Sequence, residues 1–125
     1  MRIAILSDIH GNPLALEAVL ADVQAQGGVD GYWVLGDFSA LGYDPVTVLE
    51  RLSVLPNLQC IRGNTDRFAT VGQDQKALIS AIEKNPHILG SVLETVAGFG
   101  WTRGYLVAKG WWDWLAELPL ELRIT

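Results

Sequence analysis

The chain has 125 residues, half of them hydrophobic, and a formal net charge of −5 at pH 7. This length and composition fit one globular domain, predicted over residues 1–125, and exclude disordered and fibrous proteins. The acidic balance comes without clusters of Lys and Arg, which argues against long nucleic acids and membranes as partners.

Cysteine content and hydropathy bear on the cellular compartment. Cys60 is the only cysteine, so no intrachain disulfide can form, which agrees with a reducing compartment. We expect this thiol to act as a small buried apolar group. The apolar run at residues 3–6 is too short for a signal peptide, and no stretch approaches the roughly 20 apolar residues of a membrane-spanning helix. We therefore expect a cytoplasmic protein.

The first half of the chain predicts strands that alternate with helices. Asn12 and Asp44 suit the N-cap position, and a proline follows each of them at the first helical position. Because the strands are continuous apolar runs, we expect an α/β fold in which helices cover a largely parallel sheet. The predicted order is β-α-β-α-β, with strands at 2–7, 31–37 and 58–64 and helices at 12–26 and 43–56.

The second half of the chain gives weaker signals. A helix is predicted over 73–85, residues 86–100 are ambiguous, a short amphipathic helix is predicted over 108–118, and a strand begins in 120–125. The short helix carries Trp111, Trp112 and Trp114, which we expect to pack in the core or in an interface. Self-association into a homo-oligomer through this Trp-rich region is the alternative.

Each strand of the first half is followed directly by polar residues. Asp8 and His10 follow the first strand, Asp37 the second and Asn64 the third. The carboxyl ends of neighbouring parallel strands lie along one edge of a sheet, so these side chains are expected to converge. Carboxylates brought together repel unless their pKa values rise or a cation lies among them. Oxygen and nitrogen donors without thiolates suit Mn, Fe, Zn or Mg.

Three motifs in chain order carry a family resemblance. "SDIHGN", "LGD" and "RGNTD" resemble the Asp-x-His, Gly-Asp and Gly-Asn motifs of the calcineurin-like metallophosphoesterases, in particular their small single-domain bacterial and archaeal branch. The resemblance implies an αββα sandwich and a phosphoesterase centre with two divalent ions, Mn foremost. A hydroxide that both ions activate would be the nucleophile.

The resemblance also assigns roles to residues of this sequence. It implies that Asp8 and His10 bind the first ion, that Asp37 bridges both ions, and that Asn64 binds the second ion while facing the phosphate. Arg62 and Arg67 flank the Gly-Asn pair and would pair with phosphate oxygens, or else lie in solvent. Asp66 is open between orienting this loop and being a surface acid. The expected substrate is a small or nucleotide-like phosphodiester or phosphomonoester.

The sequence departs from the family pattern in two ways. Thr65 and Ala40 stand where fuller family members have a His and an Asp that assist the leaving group, so activity should favour good leaving groups or rely on another group, such as a metal-bound water. The family also completes its centre with histidines of C-terminal motifs, whereas this chain has only His10 and His87. We interpret His87 as a helix-start or surface residue.

The missing histidines leave two interpretations open. The 125 residues are the N-terminal part of a longer enzyme whose second sheet is incomplete here, or the second half has diverged. A non-catalytic binding or scaffold protein with an incomplete metal centre is therefore the alternative to a hydrolase.

Overall fold

The computed structural model describes residues 1–124 and has a three-stranded sheet followed by a helical second half. The strands are β1 (Ile3–Leu6), β2 (Gly31–Val34) and β3 (Leu58–Cys60), with α1 (Pro13–Ala25) and α2 (Pro45–Ser53) between them. The elements after the sheet are α3 (Asn64–Thr70), α4 (Gln75–Lys84), a 3₁₀ turn (Pro86–Ile88), α5 (Leu89–Ala108) and α6 (Trp112–Ala116).

The sheet is parallel throughout, with the strand order β1-β2-β3. Ile5 lies beside Trp33, which lies beside Gln59, so the three strands end at the same edge. This arrangement confirms the predicted β-α-β-α-β order and the parallel sheet.

The two connecting helices begin at the predicted caps. The side chain of Asn12 accepts a hydrogen bond from the backbone N–H of Ala15, and that of Asp44 accepts one from Thr47. Each cap satisfies a first-turn N–H that has no partner within the helix. Both helices therefore start just beyond the sheet edge at which the strands end.

Helices cover one face of the sheet. Alternate strand residues, among them Tyr32 and Val34, point into a single core with side chains from α1, α2, α3, α5 and α6. The buried apolar residues of this core are Leu16, Leu20, Tyr32, Val34, Phe38, Ala40, Val48, Leu49, Leu52, Ala69, Phe99, Leu106 and Leu115. Cys60 packs against it, partly buried, close to the apolar role expected from the sequence.

The other face of the sheet is largely open, which corrects the expectation that helices cover the whole sheet. The side chains of Ile5 and Leu35 remain 59% and 47% exposed. Within residues 1–124 there is one sheet of three strands and no second sheet. Residues 122–124 line a cavity on the open face together with Trp33 and Ile61.

The helical second half differs from the prediction at three places. The ambiguous residues 86–100 form the 3₁₀ turn and the first part of the 20-residue helix α5. Helix α3 was not predicted, because its sequence NTDRFAT has no apolar periodicity. The strand predicted over 120–125 is not formed in 120–124. Just before this segment, the carbonyl of Pro119 accepts a hydrogen bond from the backbone N–H of Arg62. Thr125 lies outside the described residues.

The Trp-rich segment packs inward. The ring of Trp114 makes edge contacts with Phe38 and Trp111, and the indole N–H of Trp112 donates to the carbonyl of Thr70. This matches the core role predicted for the cluster; self-association through it stays a prediction. None of the helices within residues 1–124 has the length and apolar character required to cross a bilayer.

Candidate metal centre

The first two strands lead into loops that hold three candidate ligands in unusual backbone conformations. Asp8, His10 and Asp37 have φ values of +57°, +49° and +57°. Side chains disfavour this left-handed region, although Asp and His tolerate it better than most residues. Such conformations persist only where surrounding contacts fix them, and they concentrate at functional sites.

Backbone hydrogen bonds fix the two loops against each other. The N–H groups of His10 and Gly11 donate to the carbonyls of Asp37 and Phe38, both at 2.8 Å. A longer bond of 3.3 Å joins the N–H of Asp8 to the carbonyl of Gly36. Three backbone hydrogen bonds therefore join the loops after β1 and β2 and fix the backbone of the candidate ligands relative to one another.

The three side chains converge on one point, as the sequence predicts. His10 Nε2 lies 3.5 Å from Asp8 Oδ1 and 4.0 Å from Asp37 Oδ2. All three donor atoms lie within 4.8 Å of one another. The Asp8 side chain is 64% exposed and that of Asp37 only 13%, so the cluster opens to solvent on the Asp8 side.

The orientation of the His10 ring follows from its second nitrogen. Nδ1 lies 3.0 Å from the backbone carbonyl of Ala40. A carbonyl oxygen can only accept, so Nδ1 is the donor in this contact and Nε2 is the ring nitrogen that faces the two carboxylates. A backbone partner on the far nitrogen is the usual arrangement for a metal-binding histidine.

The loop after β3 is fixed by a buried carboxylate. Asp66 is fully buried, and its oxygens accept hydrogen bonds from the N–H groups of Asp37, Phe38 and Gly63 at 2.7, 2.9 and 2.9 Å. Burial raises the pKa of this carboxyl, and the three backbone donors oppose that rise. Of the two roles left open by the sequence, the structure selects the orienting one.

Close backbone approach at the same place requires glycine. A Cβ on Gly63 would collide with the carboxylate of Asp37, and one on Gly36 would collide with the backbone of Gly63. Gly36 also has a φ of +101°, which favours glycine. The loops after β2 and β3 are thus packed backbone to backbone beside Asp37.

A family model described as calcineurin-like phosphoesterase matches residues 1–124. The chain belongs to this family. A comparison with curated proteins gives no significant match.

Two solved structures resemble this calcineurin-like phosphoesterase chain. The metallophosphoesterase from Sphaerobacter thermophilus is 32% identical, with a TM-score of 0.69, over 100% of this chain and 44% of that one. A hypothetical protein from Pyrococcus horikoshii OT3 is 24% identical, with a TM-score of 0.64, over 94% of this chain and 48% of that one; this second likeness concerns the fold alone. The chain spans less than half the length of either structure.

The donor set suits the divalent metals of the calcineurin-like phosphoesterase family. Asp8, His10 and Asp37 supply two carboxylate oxygens and one imidazole nitrogen, and the nearby negative charges favour a cation among them. Within residues 1–124 this is the one cluster of at least three His, Cys, Asp or Glu side chains with such spacing.

The other residues predicted for the site lie around the β3 loop. Asn64 is the first residue of α3 and is exposed, next to the glycine that contacts Asp37. Arg62 donates from Nη1 to the carbonyl of Ala116, which gives its guanidinium a structural contact. Arg67 is exposed on α3, and His87 is exposed in the 3₁₀ turn, as predicted for a surface histidine. Metal binding by Asn64 and phosphate binding by either arginine stay predictions.

Proposed function

We propose that this chain is a metal-dependent phosphoesterase that hydrolyses small phosphodiesters or phosphomonoesters with two divalent ions. One observation carries the proposal. The donor atoms of Asp8, His10 and Asp37 converge at the carboxyl edge of a parallel sheet in a chain of the calcineurin-like phosphoesterase family. Mn²⁺ is the first candidate ion, with Fe, Zn and Mg as alternatives.

The side chains would share the work as follows. Asp8 and His10 would hold one ion, Asp37 would be a ligand shared by both ions, and Asn64 would contribute to the second while facing the phosphate. Divalent ions in such a centre neutralise phosphate charge and supply a water nucleophile at neutral pH. Because Nδ1 of His10 is bound to the Ala40 carbonyl, Nε2 is the ring nitrogen available to bind an ion.

Few side chains are proposed to contact the substrate. Arg67 is exposed and free to approach a phosphate, whereas Arg62 would have to share its guanidinium with the Ala116 carbonyl. Thr65 and Ala40 replace the acid pair of fuller family members, so we expect faster turnover with activated esters such as nitrophenyl phosphates. The proposed partner is a small phosphoester, without long nucleic acid or membrane, and the proposed compartment is the cytoplasm.

A non-catalytic scaffold is the second candidate function. It is favoured by the donor set, which comprises three side chains within residues 1–124. A second ion would need further ligands beyond these three. The number of bound ions separates the candidates: close to two Mn²⁺ per chain supports the enzyme, and one loosely held ion supports the scaffold.

A hydrolysis assay tests the proposed activity. The chain is supplied with Mn²⁺ and a panel of nitrophenyl phosphomonoesters and phosphodiesters, beside the variant Asp37→Asn. Loss of one carboxylate charge between the ions should reduce turnover to the buffer background.

The matched control is Asp22→Asn, which removes an exposed carboxylate near the other end of α1. It should retain wild-type turnover, and circular dichroism should show both variants folded. Equal turnover by wild type and Asp37→Asn would contradict the proposed centre and indicate a contaminating hydrolase.

A further inference from the structure

Asp37 presents its two carboxylate oxygens to different surroundings. Oδ2 faces His10, while Oδ1 accepts two hydrogen bonds from Thr65, one from the backbone N–H at 3.0 Å and one from the hydroxyl at 2.7 Å. The hydroxyl is the donor, because an ionised carboxylate can only accept. Thr65 is only 7% exposed, so its hydroxyl is withdrawn from solvent.

These two bonds leave Oδ1 no capacity for a metal ion. A carboxylate oxygen has about two lone-pair positions, and Thr65 occupies both. Within residues 1–124, Oδ2 has no such hydrogen-bond partner, and it lies on the side of the other candidate ligands. The carboxylate thus has one oxygen bonded to Thr65 and one oxygen available to the proposed metal centre.

The position of Thr65 is itself fixed. It is the second residue of α3, where a first-turn N–H has no helical partner and is available to Asp37. Asp66, the next residue, holds the backbone N–H groups of Asp37 and Gly63 with one carboxylate oxygen. The donor pair on Thr65 and the acceptor on Asp37 therefore belong to one rigid arrangement.

We propose that Thr65 is a positioning residue that makes Asp37 a single-oxygen metal ligand. The inference rests on the proposed metal centre and extends it. Fuller members of the family carry a histidine at position 65, where it assists the leaving group. In this chain the Thr65 hydroxyl donates to the candidate ligand Asp37 instead. This side chain would thus act on metal affinity and not on the leaving group.

The test compares Thr65→Val with Thr65→Ser. Val has nearly the shape of Thr and keeps the backbone N–H, so the substitution removes only the hydroxyl donor, whereas Ser restores it. The chain is freed of metal with a chelator and titrated with Mn²⁺ by isothermal calorimetry. We expect Thr65→Val to weaken Mn²⁺ binding about 10- to 100-fold, the usual effect of removing a hydrogen bond to a ligand, and Thr65→Ser to bind close to wild type.

The outcomes separate this inference from the proposed function. If wild type binds no Mn²⁺, the metal centre is wrong and the role of Thr65 is wrong with it. If wild type and Thr65→Val bind Mn²⁺ equally, only the role of Thr65 is overturned. A crystal structure of wild type with Mn²⁺ gives a second test that does not depend on the folding of a variant: Asp37 should contact metal through Oδ2 alone, and contact through both oxygens would overturn the inference.

Discussion

Left-handed backbone at the three candidate ligands has an energetic cost that the surrounding contacts must offset. A non-glycine residue in this region costs on the order of 1–3 kcal/mol, and Asp8, His10 and Asp37 all adopt it. The bonds that His10 and Gly11 donate to the β2 loop hold this conformation. The strain is consistent with a site that is prearranged before any ion binds.

Cys60 provides a prediction at the residue scale. Burial, with a smaller contribution from the charge of Asp66, raises the pKa of its thiol from 9.0 to about 12. At pH 8 the folded chain should therefore react with a disulfide reagent at least about 10-fold more slowly than the urea-unfolded chain, because the thiolate is the reactive form. The absorbance of released reagent measures both rates.

The sign of this pKa shift also fixes a pH dependence. A thiol pKa that is higher in the folded state than in the unfolded state stabilises the fold below pH 9, and this contribution is lost as the pH rises toward 12. Equal reaction rates for the folded and unfolded chain at pH 8 would contradict the buried environment of Cys60.

At the residue scale, the sequence predicts the features of the site that depend only on residue type and position along the chain. Asp8, His10 and Asp37 follow strands at one edge of the sheet, so their convergence could be derived from topology. The roles of Thr65 and Asp66 could not, since they depend on which oxygen of one side chain meets which N–H of another. The sequence alone does not distinguish a buried Asp66 carboxylate from an exposed one.

Helix α5 gives a prediction at the scale of the element. Gly98 lies exposed in its interior, and a Cβ there would meet open space. Because glycine is costly in a helix interior, Gly98→Ala should raise the free energy of unfolding by about 0.5–1 kcal/mol. Urea unfolding followed by circular dichroism measures the change.

The contrasting variant is Gly63→Ala, in the loop between β3 and α3. Its Cβ would collide with the Asp37 carboxylate, so the backbone or that side chain must move. Overpacking of this kind typically costs about 1–3 kcal/mol. A destabilised Gly98→Ala, or a Gly63→Ala as stable as wild type, would contradict the placement of these glycines.

Glycines also explain why α5 was only partly predicted. Gly90, Gly98, Gly100 and Gly104 interrupt its apolar pattern and lower its intrinsic helix propensity. The helix forms because Phe99, Thr102 and Leu106 are buried against the rest of the core. By contrast, α1 and α2 begin with an Asn-Pro or Asp-Pro signal, which the sequence displays directly.

At the scale of the whole molecule, one face of the sheet could not be predicted from strand composition. The sequence IAIL in β1 reads as buried on both faces, yet Ile5 remains largely exposed while the neighbouring Ala4 and Leu6 pack on the core. An apolar strand indicates that both faces of the sheet are suited to burial. It does not show what covers the second face.

Strand ends, loop hydrogen bonds and ligand orientation all place Asp8, His10 and Asp37 around one point at the sheet edge. Anomalous diffraction at the manganese edge, from crystals of the chain grown with Mn²⁺, tests this most directly. We expect an anomalous peak from Mn²⁺ that is bound by Asp8, by His10 Nε2 and by Asp37 Oδ2. Mn²⁺ bound only at other side chains, with no peak among these three, would contradict it.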